Sequence, residues 1–305
     1  MLQTALSIAP IFALLVLGHA LRRGGIPSAE FWPQNDRLVY WVLMPALLFQ
    51  NTSITDFSAI PVGSYGLVLV GAFAVALAFG LVVPVLMGLS WPSASSVLQG
   101  ASRHNTFIAL AVSERLFGAE GLATAALASA ILIPVTNFSA VAFMVAMLSG
   151  ARGARIVPAI LRDVARNPFL VAVVVGLAVN PLIDGPVPVL HDLTTILGAA
   201  ALPMMLLSVG ASLKLTGLAG DAWPVVASAV GKLAVFPLAV LGLAALTGLG
   251  GLELSVALIF AAAPTASAAY TLARQMGGDA PLMATIITAQ TLVAFVTLPL
   301  TLTLL

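Results

Sequence analysis

Ten apolar stretches separated by short connectors run through the whole chain. Each is long enough to cross the hydrocarbon core of a bilayer, which takes about 20 helical residues. We predict membrane-spanning helices near residues 4–21, 36–52, 63–88, 96–117, 122–149, 167–183, 190–213, 223–248, 254–275 and 281–304. Because 61% of the residues are hydrophobic and only 8% are charged, the chain has too little polar surface for a water-soluble fold. The predicted class is an all-α integral membrane protein with ten transmembrane helices.

The two halves of the chain carry the same landmarks. Pro10 corresponds to Pro168 and Gly18 to Gly176, an offset of about 158 residues that slips by only one residue further along. Such self-similarity indicates a gene built from two copies of one unit. With five spans in each copy, an odd number, the second copy must enter the membrane from the opposite side.

The sequence therefore predicts two inverted five-helix repeats related by a pseudo-twofold axis in the membrane plane. Residues 1–150 form the first repeat, with helices 1–5, and residues 167–305 form the second, with helices 6–10. Residues 151–166 are the longest charged connector and lie between the repeats.

The basic residues predict the orientation of the chain. If the N-terminus lies outside, most of the Lys and Arg residues fall at the other side of the membrane: Arg22, Arg23, Arg37, Arg152, Arg155, Arg162, Arg166, Lys214 and Arg274. By the positive-inside rule that side is the cytoplasm. We expect a multi-pass protein of the plasma (inner) membrane with both termini outside and a cytoplasmic connector.

A polar cluster interrupts the fourth span, where Arg103, His104, Asn105 and Thr106 follow one another. An arginine at the bilayer centre costs about 2.5–3.5 kcal/mol on insertion scales, so such a residue usually faces a cavity or a partner. The alternative is that Arg103 reaches the cytoplasmic surface and His104 caps a neighbouring helix. Asn105 is a favourable N-cap residue, which predicts that a helix broken before it restarts there.

The ninth span has a second restart signal at the corresponding repeat position, Pro264-Thr265. Proline lacks a backbone N–H and is favoured in a first helical turn, although an ordinary kink is the alternative. Two half-helices would then begin near mid-membrane with their N-termini facing each other. Each N-terminus carries about half a positive charge and unpaired N–H groups, which suit a carboxylate. Thr106 and Thr265 would donate their hydroxyls to it.

Further polar side chains lie within spans: Gln50, Asn51, Asn137, Ser208, Ser212, Lys232, Thr288 and Gln290. Asn51 and Asn137 are candidate site residues, and Asn137 either lines the cavity or bridges two helices. Lys232 is either a fixed cation that balances the half-helix ends or a side chain that extends to the cytoplasm.

Several function classes are disfavoured by what the sequence lacks. It has no cysteine, no His-Glu-x-x-His motif, no P-loop and no acidic residue deep in a span. The net charge of +1 does not indicate the basic surface that nucleic-acid-binding proteins carry. We expect no enzyme activity, no catalytic residues, no metal site and no cofactor.

Four segments resemble those of one family. They are Asn105-Thr106-Phe107-Ile108-Ala109-Leu110 followed by Leu116-Phe117-Gly118, the stretch from Leu43 to Phe49, the stretch from Pro203 to Leu213, and Ala263-Pro264-Thr265-Ala266. In order and spacing they are similar to the auxin efflux carrier family, which includes plant PIN-type carriers and bacterial permeases for malate and malonate.

The resemblance implies a ten-span fold like that of bile-acid symporters and sodium/proton antiporters, with broken helices four and nine crossing at the midplane. It implies a scaffold of helices 1, 2, 6 and 7 that forms a homodimer surface, and a moving transport domain of helices 3–5 and 8–10. Asn105 matches the family's crossover asparagine and Pro264 its second crossover proline. His104 stands where a proline is usual, and the large cytoplasmic loop is absent, which favours a compact prokaryotic member.

The main hypothesis is a secondary transporter that moves a small organic acid across the bilayer by alternating, elevator-like access. Its candidate substrate-binding residues are Arg103, His104, Asn105, Thr106, Pro264, Thr265, Asn137 and Asn51. The second hypothesis is sodium-coupled symport, with a sodium ion held by carbonyl oxygens and by Asn137 or Gln290. A third, from another class, is a membrane sensor or receptor that binds a ligand without moving it.

Overall fold

A computed structural model describes residues 2–58, 60–148, 162, 166–214 and 222–304. Those residues form helices, turns and loops, and no strand occurs among them. The predicted all-α class is confirmed. Of the predicted connector 151–166, only Arg162 and Arg166 belong to the described residues, so most of it, with Arg152 and Arg155, lies outside them.

The helices are labelled here in chain order. In the first half they are α1 (Leu2–Arg23), α2 (Phe31–Leu38), α3 (Met44–Ile54), α4 (Val62–Leu86), α5 (Trp91–Ser102) and α6 (Thr106–Leu148). In the second half they are α7 (Pro168–Val179), α8 (Leu190–Ser212), α9 (Ala222–Val230), α10 (Phe236–Thr247), α11 (Gly251–Ala262), α12 (Ala268–Met276) and α13 (Ala280–Leu302).

Six helical stretches among the described residues are long and apolar enough to cross a membrane. They are Gln3–Arg23, Val62–Leu86, Trp91–Leu148, Leu190–Ser212, Ala222–Thr247 and Ala280–Leu302. Two shorter apolar helices are Pro168–Leu182 and Gly251–Ala262. The length and composition of these helices make this a multi-pass membrane protein.

One of the long stretches contains two breaks in the helix. The stretch Trp91–Leu148 loses helical structure between α5 and α6. Within α6, Gly118 has a φ of 63° and a ψ of −148°, which divides the helix into two arms. Glycine adopts this backbone conformation at little cost because it lacks a Cβ atom.

Glycines bring α1 and α8 into backbone contact. A Cβ atom added at Gly18 would lie 2.0 Å from the carbonyl oxygen of Leu207, and one at Gly210 would lie 1.9 Å from that of Leu15. A similar approach joins α7 to α3, because a Cβ atom at Gly176 would lie 2.0 Å from Thr52 Oγ1. These helices pack as closely as small residues allow in a membrane.

Two π-helical turns each end just before a proline. Val39–Leu43 precedes Met44-Pro45, and Gly231–Val235 precedes Phe236-Pro237. Since proline has no N–H to donate to the preceding turn, the helix widens locally. The second π turn carries Lys232, whose side chain is fully buried.

Candidate functional site

The first chain break lies between α5 and α6. Arg103 is extended, with a φ of −72° and a ψ of 153°. The side-chain oxygen of Asn105 accepts hydrogen bonds from the N–H groups of Phe107 and Ile108, each at 3.1 Å. The predicted N-cap at Asn105 is therefore confirmed, and α6 starts at the next residue, Thr106, which is partly exposed.

The second break lies between α11 and α12 and is longer than predicted. The sequence placed the helix restart at Pro264, but α12 begins only at Ala268. Ala263 is extended, with a ψ of 138°, as is usual before a proline. Thr265 is held out of a helix because its N–H donates to Gln290 Oε1 at 2.9 Å and its hydroxyl donates to the Gly100 carbonyl oxygen at 2.7 Å.

The two breaks contact each other directly. The N–H of Asn105 donates to the carbonyl oxygen of Pro264 at 2.7 Å. Together with the Thr265–Gly100 hydrogen bond, this brings four helix ends to one place. The C-terminal ends of α5 and α11 and the N-terminal ends of α6 and α12 meet there.

Gln290 of α13 stabilises this meeting point. Its side chain is fully buried, and its Nε2 donates to the Gly100 carbonyl oxygen at 2.9 Å and to Ser228 Oγ at 3.0 Å. Its Oε1 accepts the N–H of Thr265. One side chain thus forms hydrogen bonds with polar groups of α5, α9 and the second break in an apolar interior.

Two cations lie at the C-terminal ends of the broken helices. Arg103 Nη2 donates to Asn137 Oδ1 at 3.0 Å, so of the two predicted roles Asn137 has the bridging one, and it is not among the residues that line the cavity described below. Lys232 Nζ donates to the carbonyl oxygen of Phe260 at 3.0 Å and lies 4.2 Å from the ring centre of Phe236. Because Phe260 lies in the last turn of α11, Lys232 offsets the partial negative charge of that helix end.

His104 and Asn51 are placed differently. The His104 ring is buried with its centre 5.2 Å from that of the Phe260 ring, and its Nδ1 has no hydrogen-bond partner among the described residues. Asn51 donates to the Leu47 carbonyl oxygen of its own helix at 2.8 Å. None of its described hydrogen bonds reaches the two breaks.

A cavity of about 650 Å³ extends to the first turns of both α6 and α12. Phe107 lines it on the α6 side and Ser267 on the α12 side. Its other walls carry three basic residues and one acidic residue, namely Arg22, Arg37, Lys214 and Asp36. An anion that enters this cavity would meet an excess of positive charge and two helix N-termini.

Sequence reasoning did not include Gly100, Gln290 or Lys232 among the site residues. Gly100 has no side chain and therefore gives no sequence signal for a site. In the structure, a Cβ atom added there would lie 2.1 Å from Ser228 Oγ. Gln290 and Lys232 are polar residues within apolar spans, and this is the sequence signal that points to them. Among the described ranges, no group of three or more His, Cys, Asp or Glu residues is arranged to hold a metal ion.

Two comparisons with known proteins identify the class of this protein. The family described as "Membrane transport protein" matches residues 139–302, more than half of the chain. The chain belongs to this family. The family is that of the auxin efflux carriers, so the predicted relationship is confirmed. The chain is also 24% identical over 306 residues to a protein of Methanothermobacter thermautotrophicus described as an uncharacterized transporter, with 96% of each chain covered. The family and this relative make the protein a membrane transporter.

Proposed function

We propose that this protein is a secondary transporter that moves a small organic carboxylate across the membrane by alternating, elevator-like access. The carboxylate would lie in the 650 Å³ cavity against the first turns of α6 and α12, where Phe107 and Ser267 line the wall. Thr106, the first residue of α6, would donate its hydroxyl once the anion reaches the start of that helix. Thr265 is not assigned this contact in the conformation described, because its hydroxyl donates to Gly100.

The observation that carries the proposal is the pairing of charges at the four helix ends. Lys232 donates to a carbonyl oxygen in the last turn of α11, and Arg103 is the residue that directly follows α5. The sequence has no acidic residue from 91 to 113 or from 254 to 278, so no carboxylate side chain of these segments offsets the positive ends of α6 and α12. A bound anion would supply that missing negative charge.

The helix packing supports an inverted repeat. Gly18 lies against Leu207. A Cβ atom built at Gly176 would lie 3.3 Å from the carbonyl oxygen of Phe49. Gly18 and Gly176 occupy the same repeat position, and so do Phe49 and Leu207. The first helix of each half therefore packs on the second span of the other half: α1 contacts α8, and α7 contacts α3. Two repeats related by a pseudo-twofold axis would make this reciprocal pair of contacts.

On this basis we assign ten spans to the chain. Spans four and nine are the broken helices, formed by α5 with the first arm of α6 and by α11 with α12. The scaffold consists of α1, α2 with α3, α7 and α8, and it would form the homodimer. The other helices form the transport domain. The basic residues support a cytoplasmic location for the end with Arg22, Arg37 and Lys214 in an inner-membrane protein with both termini outside.

Sodium-coupled symport is less well supported by the contacts. Asn137 Oδ1 accepts from Arg103, and Gln290 Oε1 accepts from Thr265, so both side-chain oxygens considered as sodium ligands already have donors. Arg103 would also repel a cation bound at Asn137. Flux measured with and without a sodium gradient decides between symport and uniport.

The proposed function is tested first by binding and then by flux. Acetate, succinate and benzoate are screened for an increase in melting temperature, since a ligand that binds only the folded state stabilises it. Uptake of each stabilising anion into proteoliposomes is then measured. Saturable uptake supports the proposal. Binding without flux would instead support the sensor hypothesis, and the absence of any stabilising carboxylate would contradict a carboxylate site.

A further inference from the structure

Three polar contacts join the end of α8 to α12 and α13 across the cavity. Ser212 Oγ lies 3.3 Å from Ser267 Oγ, within hydrogen-bond distance, and itself donates to the Val209 carbonyl oxygen at 2.7 Å. The N–H of Lys214 donates to Thr288 Oγ1 at 3.2 Å, and Lys214 Nζ donates to the hydroxyl of Tyr270 at 3.1 Å. The five residues of these three contacts line the cavity. We call this set of contacts the α8 latch.

The α8 latch connects parts of the molecule that the proposed function assigns to different domains. Ser212 is the last residue of the scaffold helix α8 and Lys214 follows it by two residues, whereas Ser267, Tyr270 and Thr288 belong to the transport domain. If the transport domain shifts against the scaffold, all three contacts must break. The latch therefore opposes the movement for as long as it is intact.

Lys214 is the charged member of the latch and is exposed to the cavity. Its ammonium group bonds a neutral phenol and lies 4.2 Å from the centre of the same ring. A carboxylate is a stronger acceptor for an ammonium group than a neutral hydroxyl, because the hydrogen bond is charge-assisted. An anion in the cavity would therefore compete with Tyr270 for Lys214.

We propose that Lys214 couples arrival of the anion to release of α8 from α12. The ammonium group exchanges the Tyr270 hydroxyl for the carboxylate of the anion, and the transport domain is then free to move. This inference rests on the proposed function, and it assigns Lys214 a coupling role at the same cavity.

The chain has no cysteine, which allows a direct test with one engineered pair. Ser212→Cys and Ser267→Cys are combined, and the rate of disulfide formation with copper–phenanthroline reports how often α8 and α12 are in contact. The rate is measured without anion and with acetate, succinate or benzoate, in the otherwise unchanged chain and with Lys214→Met, Tyr270→Phe or Arg274→Met. Arg274 is the matched control, because it is an exposed cation of α12 that does not line the cavity.

In the unchanged background we expect a stabilising anion to slow cross-linking about fivefold, the effect of losing one hydrogen bond. Lys214→Met should slow cross-linking by a similar factor without anion, and added anion should then have no further effect. Tyr270→Phe should give a smaller slowing, because the ring contact remains, and Arg274→Met should behave like the unchanged background. In proteoliposomes, the disulfide should stop uptake and dithiothreitol should restore it.

Two outcomes would overturn the inference while leaving the proposed function intact. In one, Lys214→Met and Tyr270→Phe cross-link as fast as Arg274→Met without anion. In the other, an anion that raises the melting temperature leaves the cross-linking rate of the unchanged background unaltered. If no carboxylate raises the melting temperature, the proposed function fails and so does the role of the anion. The rates without anion then still decide whether the latch exists.

Discussion

The N–H of Asn105 donates to the carbonyl oxygen of Pro264 at 2.7 Å, which joins two chain breaks that lie in opposite halves of the sequence. Around this bond, cations lie at the helix C-termini, and the two N-termini extend to a cavity lined by basic side chains. The arrangement leaves positive helix ends available for an anion. Each part of this account makes a separate prediction.

Gln290→Leu should destabilise the protein strongly. The substitution removes the partner of the Thr265 N–H and one partner each of Gly100 and Ser228 in a fully buried environment. A buried polar group left unpaired costs about 1–3 kcal/mol. We expect a clear fall in melting temperature in detergent. Gln275→Leu, at an exposed position of α12, is the control, and an equal fall in both variants would refute the bridging role of Gln290.

Gly100→Ala should destabilise the protein because the added methyl group has no room. A Cβ atom would lie 2.1 Å from Ser228 Oγ and 2.7 Å from Ile286 Cγ2, and overpacking of this kind costs about 1–3 kcal/mol. Gly242→Ala in α10 is the matched control, since no atom lies within 4 Å of its Cβ position. It should leave the melting temperature unchanged or raise it, as alanine is the better helix former. The prediction fails if Gly100→Ala melts no lower than Gly242→Ala.

Lys232→Met should weaken anion binding more than it weakens the fold. Removing a fully buried charge relieves its desolvation cost, which offsets the lost hydrogen bond to Phe260. The positive charge of Lys232 would attract an anion held at the nearby helix N-termini, and this attraction is stronger in an apolar interior than in water, so its removal should lower the affinity for the anion.

The Lys232 prediction is checked by titrating a stabilising carboxylate against the melting temperature of each variant. Arg23→Met, at the exposed end of α1, is the control and should keep the original affinity. If Lys232→Met binds the anion as tightly as that control, Lys232 does not contribute to the field of the site.

The first break was predictable from sequence because its determinant is local. Asn105 caps the helix that starts one residue later, using N–H groups two and three residues away. The length of the second break was not predictable. It depends on Thr265 bonding to Gly100, 165 residues away, and on Gln290 bonding to Gly100, 190 residues away.

The helices and the side-chain roles also differ in whether local sequence determines them. Apolar periodicity and length predict where the helices lie, since burial in lipid selects for them. The sequence offered two roles for Asn137 and two for Lys232, and local signals could not choose between them. The role of Asn137 depends on the Arg103 guanidinium that donates to it, and the role of Lys232 depends on the Phe260 carbonyl oxygen that accepts from it. Both contacts arise only in the packed structure.

The central claim is that positive helix ends beside Asn105 hold the transported anion, and Asn105→Asp tests it most directly. Aspartate is as good an N-cap as asparagine, so the α6 start should persist, while the added negative charge would repel a carboxylate. Asn167→Asp is the matched control, because Asn167 caps α7 in the same way, accepting the N–H of Phe169 at 2.9 Å. Uptake of a stabilising carboxylate into proteoliposomes is measured for both variants at equal reconstituted amounts. The account predicts that Asn105→Asp loses uptake and that Asn167→Asp retains it. Undiminished uptake by a folded Asn105→Asp variant would contradict the account.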